Sequence, residues 1–154
     1  MHNCYFHNTA FTILQIVKTA VSSESAHKKI FEGVFDNQIF KLHEIAINNA
    51  FKNDDEPIVE DEDIELTTKL TLLSENTERY HVTYHLFNEM GEALFSFSNS
   101  QGSRVLQKGF NNLICNFPKS FLHAGQYFLS LFIIEDKRKA IFVEKDILSF
   151  TIIN

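Results

Sequence analysis

The stretch Arg79 to Asn99, RYHVTYHLFNEMGEALFSFSN, leaves the chain few choices of fold. In its first half Tyr80, Val82, Tyr84 and Leu86 alternate with His81, Thr83 and His85. In its second half Ala93, Phe95 and Phe97 alternate with Leu94, Ser96 and Ser98. A period of two in β-branched and aromatic residues is the pattern of half-buried strands. Between the halves, Asn88-Glu89-Met90-Gly91 is a tight turn, with Gly91 free to take a positive φ. A β-hairpin of this kind needs a second layer to cover its apolar side.

The rest of the chain supplies that layer. At 154 residues it is one domain with at most a short extension, and it can bury a core without a disulfide or metal staple. Sixteen Phe and no Trp point to a core of Phe, Ile and Leu. Ile64, Leu66, Thr68, Leu70 and Leu72 alternate with Glu65, Thr67, Lys69 and Thr71, a strand with one side buried. Phe40 to Ile47 is a strand whose parity slips near Glu44, the mark of a bulge. Phe110 to Pro118 and Tyr127 to Ile134 are further strands, and Leu148, Phe150 and Ile152 lie on a last one. About seven short strands without intervening long helices predict an all-β, immunoglobulin-like antiparallel β-sandwich over residues 34–154.

Residues 1–33 read as a short N-terminal extension or linker. Phe11, Leu14, Val17 and Val21 have helical spacing, while the Thr, Ile and Val there also suit a strand. Ser22 and Ser23 can cap a short helix running through Ile30 and Phe31, with Gly33 as its stop. The N-terminus lacks a basic n-region and Gln15 interrupts its apolar run, so no signal peptide is read. No stretch approaches the ~20 apolar residues of a membrane span.

Charge and cysteine content exclude whole classes. A net charge of −6 with scattered Lys and Arg is unsuited to nucleic acid or to an anionic membrane surface. Cys4 and Cys115 match no metal spacing and no disulfide framework, which favours a reducing compartment.

No catalytic motif is present: there is no G-x-S-x-G, no H-E-x-x-H and no phosphate-binding G-x-x-x-x-G-K-[ST]. Glu89 and Glu92 could be drawn as a glycosidase pair, but both lie at a hairpin turn and read better as solvated. His81 and His85 share a strand face, yet four residues of strand span about 13 Å, too far to share a metal shell. The acidic loop from Asp54 to Asp63 has no EF-hand register and reads as a solvated loop before a calcium site. No cofactor and no catalysis are expected.

What remains is an outward sheet face. His81, Thr83 and His85 would lie beside Thr67, Lys69 and Thr71 if the two strands share a sheet, and Phe128 and Phe132 are in the phase opposite the core. Aromatic rings cover the apolar CH face of a pyranose while hydroxyl, imidazole and ammonium groups read its hydroxyls. The sugar-binding candidates are therefore Lys69, His81, Thr83, His85, Phe128 and Phe132. The competing reading is that Phe128 and Phe132 pack beneath a loop or in a dimer interface.

Val82 to Phe97, VTYHLFNEMGEALFSF, resembles the "v-x-f-x-I-x-d-x-x-G-x-x-l-f" hairpin of the C-terminal domain of Wzt-type proteins, the ATP-binding subunits of O-antigen polysaccharide ABC transporters. Phe121 to Leu129, FLHAGQYFL, is similar to that family's "L-x-x-G-x-Y-x-l" turn and strand. Phe40 to Leu72 is similar to its opening strand, variable loop and following strand, although Glu60-Asp61-Glu62 stands where the family has Gly. Ser149 to Ile152 resembles its closing "F-x-V" strand. The resemblance spans about 34–154 and rests on turn and core positions, which speak to fold more than to ligand.

The resemblance implies a non-catalytic carbohydrate-binding module that recognises a cell-surface, O-antigen-type polysaccharide on the cytoplasmic side and selects it for export. It implies a homodimer with exchange of the last strands, and a transporter ATPase or permease as partner. The chain is then either an excised domain or a stand-alone binding protein, cytoplasmic or peripheral at the inner face of the membrane. The alternative is a protein-interaction or assembly module of a surface-polysaccharide system. Its grounds are the apolar N-terminal stripe and the last strand, Leu148 to Ile153, as an open edge.

Overall fold

The computed structural model describes residues 21–24, 27–49, 51–99 and 105–154, and for 21–24 the backbone only. Ten strands are described in chain order: β1 (Val21–Glu24), β2 (Lys28–Phe31), β3 (Phe40–Asn48), β4 (Ile58–Val59), β5 (Ile64–Leu72), β6 (Tyr80–Asn88), β7 (Ala93–Ser98), β8 (Gly109–Phe117), β9 (Gly125–Glu135) and β10 (Lys139–Ile153). They form two five-stranded sheets, one ordered β1-β2-β3-β5-β8 and the other β4-β10-β9-β6-β7. The pairings of these strands are antiparallel except the two-residue contact of β4 with β10.

Period-2 patterning explains why the sheets stack. β5 alternates buried and half-buried residues along its whole length, and Tyr80, Val82, Tyr84 and Leu86 of β6 are buried. The inward residues of both sheets make one core, from Phe31, Phe40, Ile45, Leu66 and Leu70 to Tyr84, Leu86, Leu129 and Phe150. One polar bond sits inside it: the Thr68 hydroxyl of one sheet and the Tyr84 hydroxyl of the other lie 2.6 Å apart. Burial raises the Tyr84 phenol pKa well above its ordinary value. On the β7–β8 side the sandwich is closed by aromatic contacts. Phe97 meets Phe117 edge-on at 5.4 Å and Phe121 stacks on Phe117 at 6.0 Å.

The bulge in β3 lies where the parity slips, between Leu42 and Glu44. The Tyr127 hydroxyl donates to the His123 carbonyl (2.7 Å), fixing the turn into β9. Cys115 is half-buried against the core.

Three expectations need correction. The described part of Ser22 to Phe31 holds no helix: β1 and β2 form a strand pair that joins the sheet through Lys28–Ala46 and Ile30–Glu44. Two lysines and three polar residues make poor core fillers, and pairing of β1 with β2 and of β2 with β3 decides their conformation instead. The acidic loop from Asp54 to Asp63 contains the short strand β4. Its acidic side chains are largely engaged, not simply solvated. Glu60 accepts from the Ala124 amide (2.7 Å), Asp63 from the Lys119 amide (3.0 Å), and Glu62 pairs with Lys52 (2.7 Å). The Ala124 amide, followed by His123, holds the Glu60 carboxyl below its usual range. Among the described residues no cluster of three His, Cys, Asp or Glu could hold a metal. Phe11, Leu14 and Val17, and Cys4, lie outside the described residues.

Candidate functional site

The outward face of the β6–β9 sheet gathers five of the six residues singled out by sequence. Antiparallel register sets Thr83 opposite Phe132, His85 opposite Ser130, and His81 opposite Ile134, with Phe87 opposite Phe128 at the hairpin end. Directly opposed residues point to the same side, so His81, Thr83, His85, Phe128 and Phe132 share one face. Lys69 does not join them. β5 and β6 lie in different sheets, and Lys69 stands on the outer face of the other layer, bonded to Glu44 (3.2 Å) and opposite Asn112. The condition that β5 and β6 share a sheet fails.

The face is not open along its length. Phe132 is only 8% exposed and Ser130 2%, and the His85 ring packs on Phe132 with centroids 4.5 Å apart. Phe132 is thus a packed ring and not the exposed platform expected. Burial lowers the pKa of His81 and of His85, keeping both imidazoles neutral at pH 7.

The opening is at the hairpin end. There a cavity of about 220 Å³ is lined by Phe87 and Phe128, by Asn88, Glu89 and Gly91 of the turn, and by Lys145 and Asp146 of β10. Two local distortions build it. One is the β6–β7 turn, in which Asn88 Oδ1 accepts from the amides of Met90 and Glu92 (both 3.0 Å) and Gly91 takes φ 80°. The other is a bulge in β10. Glu144 faces Leu131 and Leu148 faces Leu129, so Lys145, Asp146 and Ile147 stand against Ser130 alone. The Asp146 amide donates to Ser130 Oγ (3.2 Å), and Asp146 sits at φ 53°, a left-handed position that Asp tolerates better than most residues. The bulge carries Lys145 and Asp146 to the rim of the two Phe rings.

The polar groups around the rings are not equivalent. Asn88 is largely engaged, since Nδ2 donates one of its two N–H groups to Glu92 Oε2 (2.8 Å) and Oδ1 holds the turn. The side chains of Glu89, Lys145 and Asp146 make no hydrogen bond or ion pair among the described residues. The arrangement therefore offers two apolar rings and three unengaged charged groups, and no nucleophile–base pair.

Phe87, Lys145 and Asp146 escape the sequence reading, and Glu89 enters it only as a solvated turn residue. Phe87 is in phase with His81, Thr83 and His85 and could have been found by extending the alternation one step. Lys145 and Asp146 carry no such signal, because two register shifts scramble the parity of β10.

No family model matches the chain, and no curated protein does. A solved structure does: the crystal structure of the C-terminal domain of Wzt superposes with a TM-score of 0.63 at 13% identity, covering 77% of this chain and 75% of that one. The likeness is one of fold, and the chain has the β-sandwich architecture of the C-terminal domain of Wzt.

Proposed function

We propose that this chain is a non-catalytic carbohydrate-binding module, and that the cavity at the hairpin end holds part of a cell-surface polysaccharide. The observation that carries the reading is the pair of cross-strand rings, Phe87 and Phe128, rimmed by the unengaged Glu89, Lys145 and Asp146. Rings of this kind cover the CH face of a pyranose, and the rim groups bond its hydroxyls. A cavity of about 220 Å³ suits a sugar ring or two, which fits a polymer end or a short stretch of chain. Likeness to the C-terminal domain of Wzt supports a place in polysaccharide export beside an ABC transporter, at the cytoplasmic face of the membrane. No helix among the described residues is long and apolar enough to cross a membrane.

The test is titration of the isotope-labelled chain with lipid-free surface polysaccharide from its source organism, followed by NMR. Shifts clustered on Phe87, Phe128 and the bulge, and lost in Phe128→Ala, support the reading. Shifts elsewhere, or none at millimolar ligand, reject it.

A second reading, an assembly module, rests on β8. This strand pairs with β5 along nine residues without a register shift, and no described strand covers its other side. Gly109 to Phe117 contains no charge and no Pro, and Phe110 on its outer face is 60% exposed. Natural edges are blunted by bulges, charges and Pro; the last strand is not the open edge expected, since β4 covers Ile152 and Ile153 of β10 and two shifts with Lys145-Asp146 interrupt the rest. An unblunted edge fits a second copy of the chain, paired antiparallel about Leu113, giving a homodimer. Ile114→Lys should convert such a dimer to monomer in light scattering while leaving sugar binding intact; a wild-type monomer at high concentration removes this reading.

A further inference from the structure

We infer that the hairpin-end cavity selects a neutral or amine-bearing sugar and rejects one carrying a carboxylate or phosphate. The inference deepens the sugar-binding reading and rests on it. The grounds are which polar groups remain free. Asn88, the residue best able to both donate and accept, is largely held by its own turn, where Oδ1 accepts from the amides of Met90 and Glu92 and one of the two Nδ2 N–H groups donates to the Glu92 carboxylate. The side-chain groups left on the lining are the carboxylates of Glu89 and Asp146, which only accept hydrogen bonds, and the Lys145 ammonium and second Asn88 N–H, which only donate. A ligand must therefore bring donors: hydroxyls or an ammonium. A uronate or phosphate brings acceptors to two acceptors, and its charge meets a lining that is net negative on a chain of net charge −6. Lys145 alone would have to offset both. Its neighbour Asp146, held by the bulge at the same rim, works against that. Charge-assisted bonds from ligand hydroxyl or ammonium to carboxylate are the strong ones available here. The two rings are indifferent to the substituent and supply only the platform.

The experiment is calorimetry of the full chain at low ionic strength with four probes: mannotriose, the trimer of glucosamine, trigalacturonic acid and mannose 6-phosphate. The neutral and amine-bearing trimers should bind at least tenfold more tightly than the two acidic probes. Binding of the glucosamine trimer should weaken as salt is raised while that of mannotriose holds steady. The paired substitution Glu89→Gln with Asp146→Asn should narrow the tenfold gap, and Phe128→Ala should abolish binding of both favoured probes. Equal affinity for acidic and neutral probes, with Phe128→Ala still abolishing it, leaves the sugar site standing and overturns the selectivity. Binding that survives Phe128→Ala, or no binding of any probe at millimolar concentration, overturns the site and the selectivity together.

Discussion

Glu144 yields the sharpest test of the packing. It is 1% exposed, faces the core residue Leu131 in register, and neither carboxyl oxygen has a hydrogen-bond partner among the described residues. Burial pushes its pKa from 4.5 up to about 8, with the Lys29 ammonium on β2 pulling weakly the other way. The folded chain therefore keeps a proton that the unfolded chain gives up. Stability is full below the unfolded pKa of 4.5 and drains away as pH rises toward the folded value of about 8. Holding one proton that the unfolded chain has released costs about 1.4 kcal/mol for each pH unit climbed within that window. The loss between about pH 5 and pH 7.5 is then about 3 kcal/mol, a large part of the roughly 5–15 kcal/mol of a typical domain. Other groups titrate in the same window, so the comparison is with Glu144→Gln, which keeps the shape and cannot ionise. The chain has no Trp, so urea unfolding is followed by circular dichroism at the two pH values. The stability of Glu144→Gln relative to wild type should rise by about 3 kcal/mol from the lower pH to the higher. Two variants that keep the same gap at both pH values would show that Glu144 is hydrated or paired in solution, and the reasoning would fall.

Two further outcomes follow from the same geometry. The Thr68–Tyr84 bond joins the sheets inside the core, so Tyr84→Phe should cost about 1–3 kcal/mol by stranding the Thr68 hydroxyl. Adding Thr68→Val should recover part of that loss, which a double-mutant cycle in urea measures; strict additivity would refute the bond. Gly91→Ala puts a Cβ into open space, but at φ 80°, so it should lower stability by about 1 kcal/mol through backbone strain alone. A neutral result in thermal melts would mean that the turn adopts another conformation.

How much of the sandwich is legible depends on which physical rule is local. Side-chain direction along a strand is local: period 2 alone sorts β5 and β6 into buried and outward residues, and the slip near Glu44 marks the bulge in β3. Strand partnership is not local. β5 and β6 are consecutive in sequence yet lie in opposite sheets, which is why Lys69 ends on the far side of the molecule from His81 and Thr83. The same holds for β1 and β2. Their largely polar composition carries little strand signal, and pairing of β1 with β2, and of β2 with β3, imposes the conformation that Ser22 and Ser23 alone would not.

The candidate site shows where pattern reading stops. Parity places Phe128 and Phe132 on one face but is silent about what packs over that face, and only Phe128 borders the opening. The cavity itself is made by two departures from regular strand, the turn at Asn88–Gly91 and the bulge at Lys145–Ile147, far apart in sequence and joined only by the β6–β9–β10 register. The turn follows local preference, with Gly91 at positive φ, whereas the bulge sets Asp146 at a positive φ. Regular strand through Lys145 to Ile147 would keep β10 paired and unstrained. Instead the chain gives up ladder pairing opposite Ser130 and sets two unengaged charges beside two aromatic rings. The same bulge buries Ile147 in the core, which anchors it, and a strained residue held in place by the surrounding structure is expected at binding sites more than elsewhere. That is why the bulge, and not the longer aromatic face that the alternation predicts, is the place to look for the ligand.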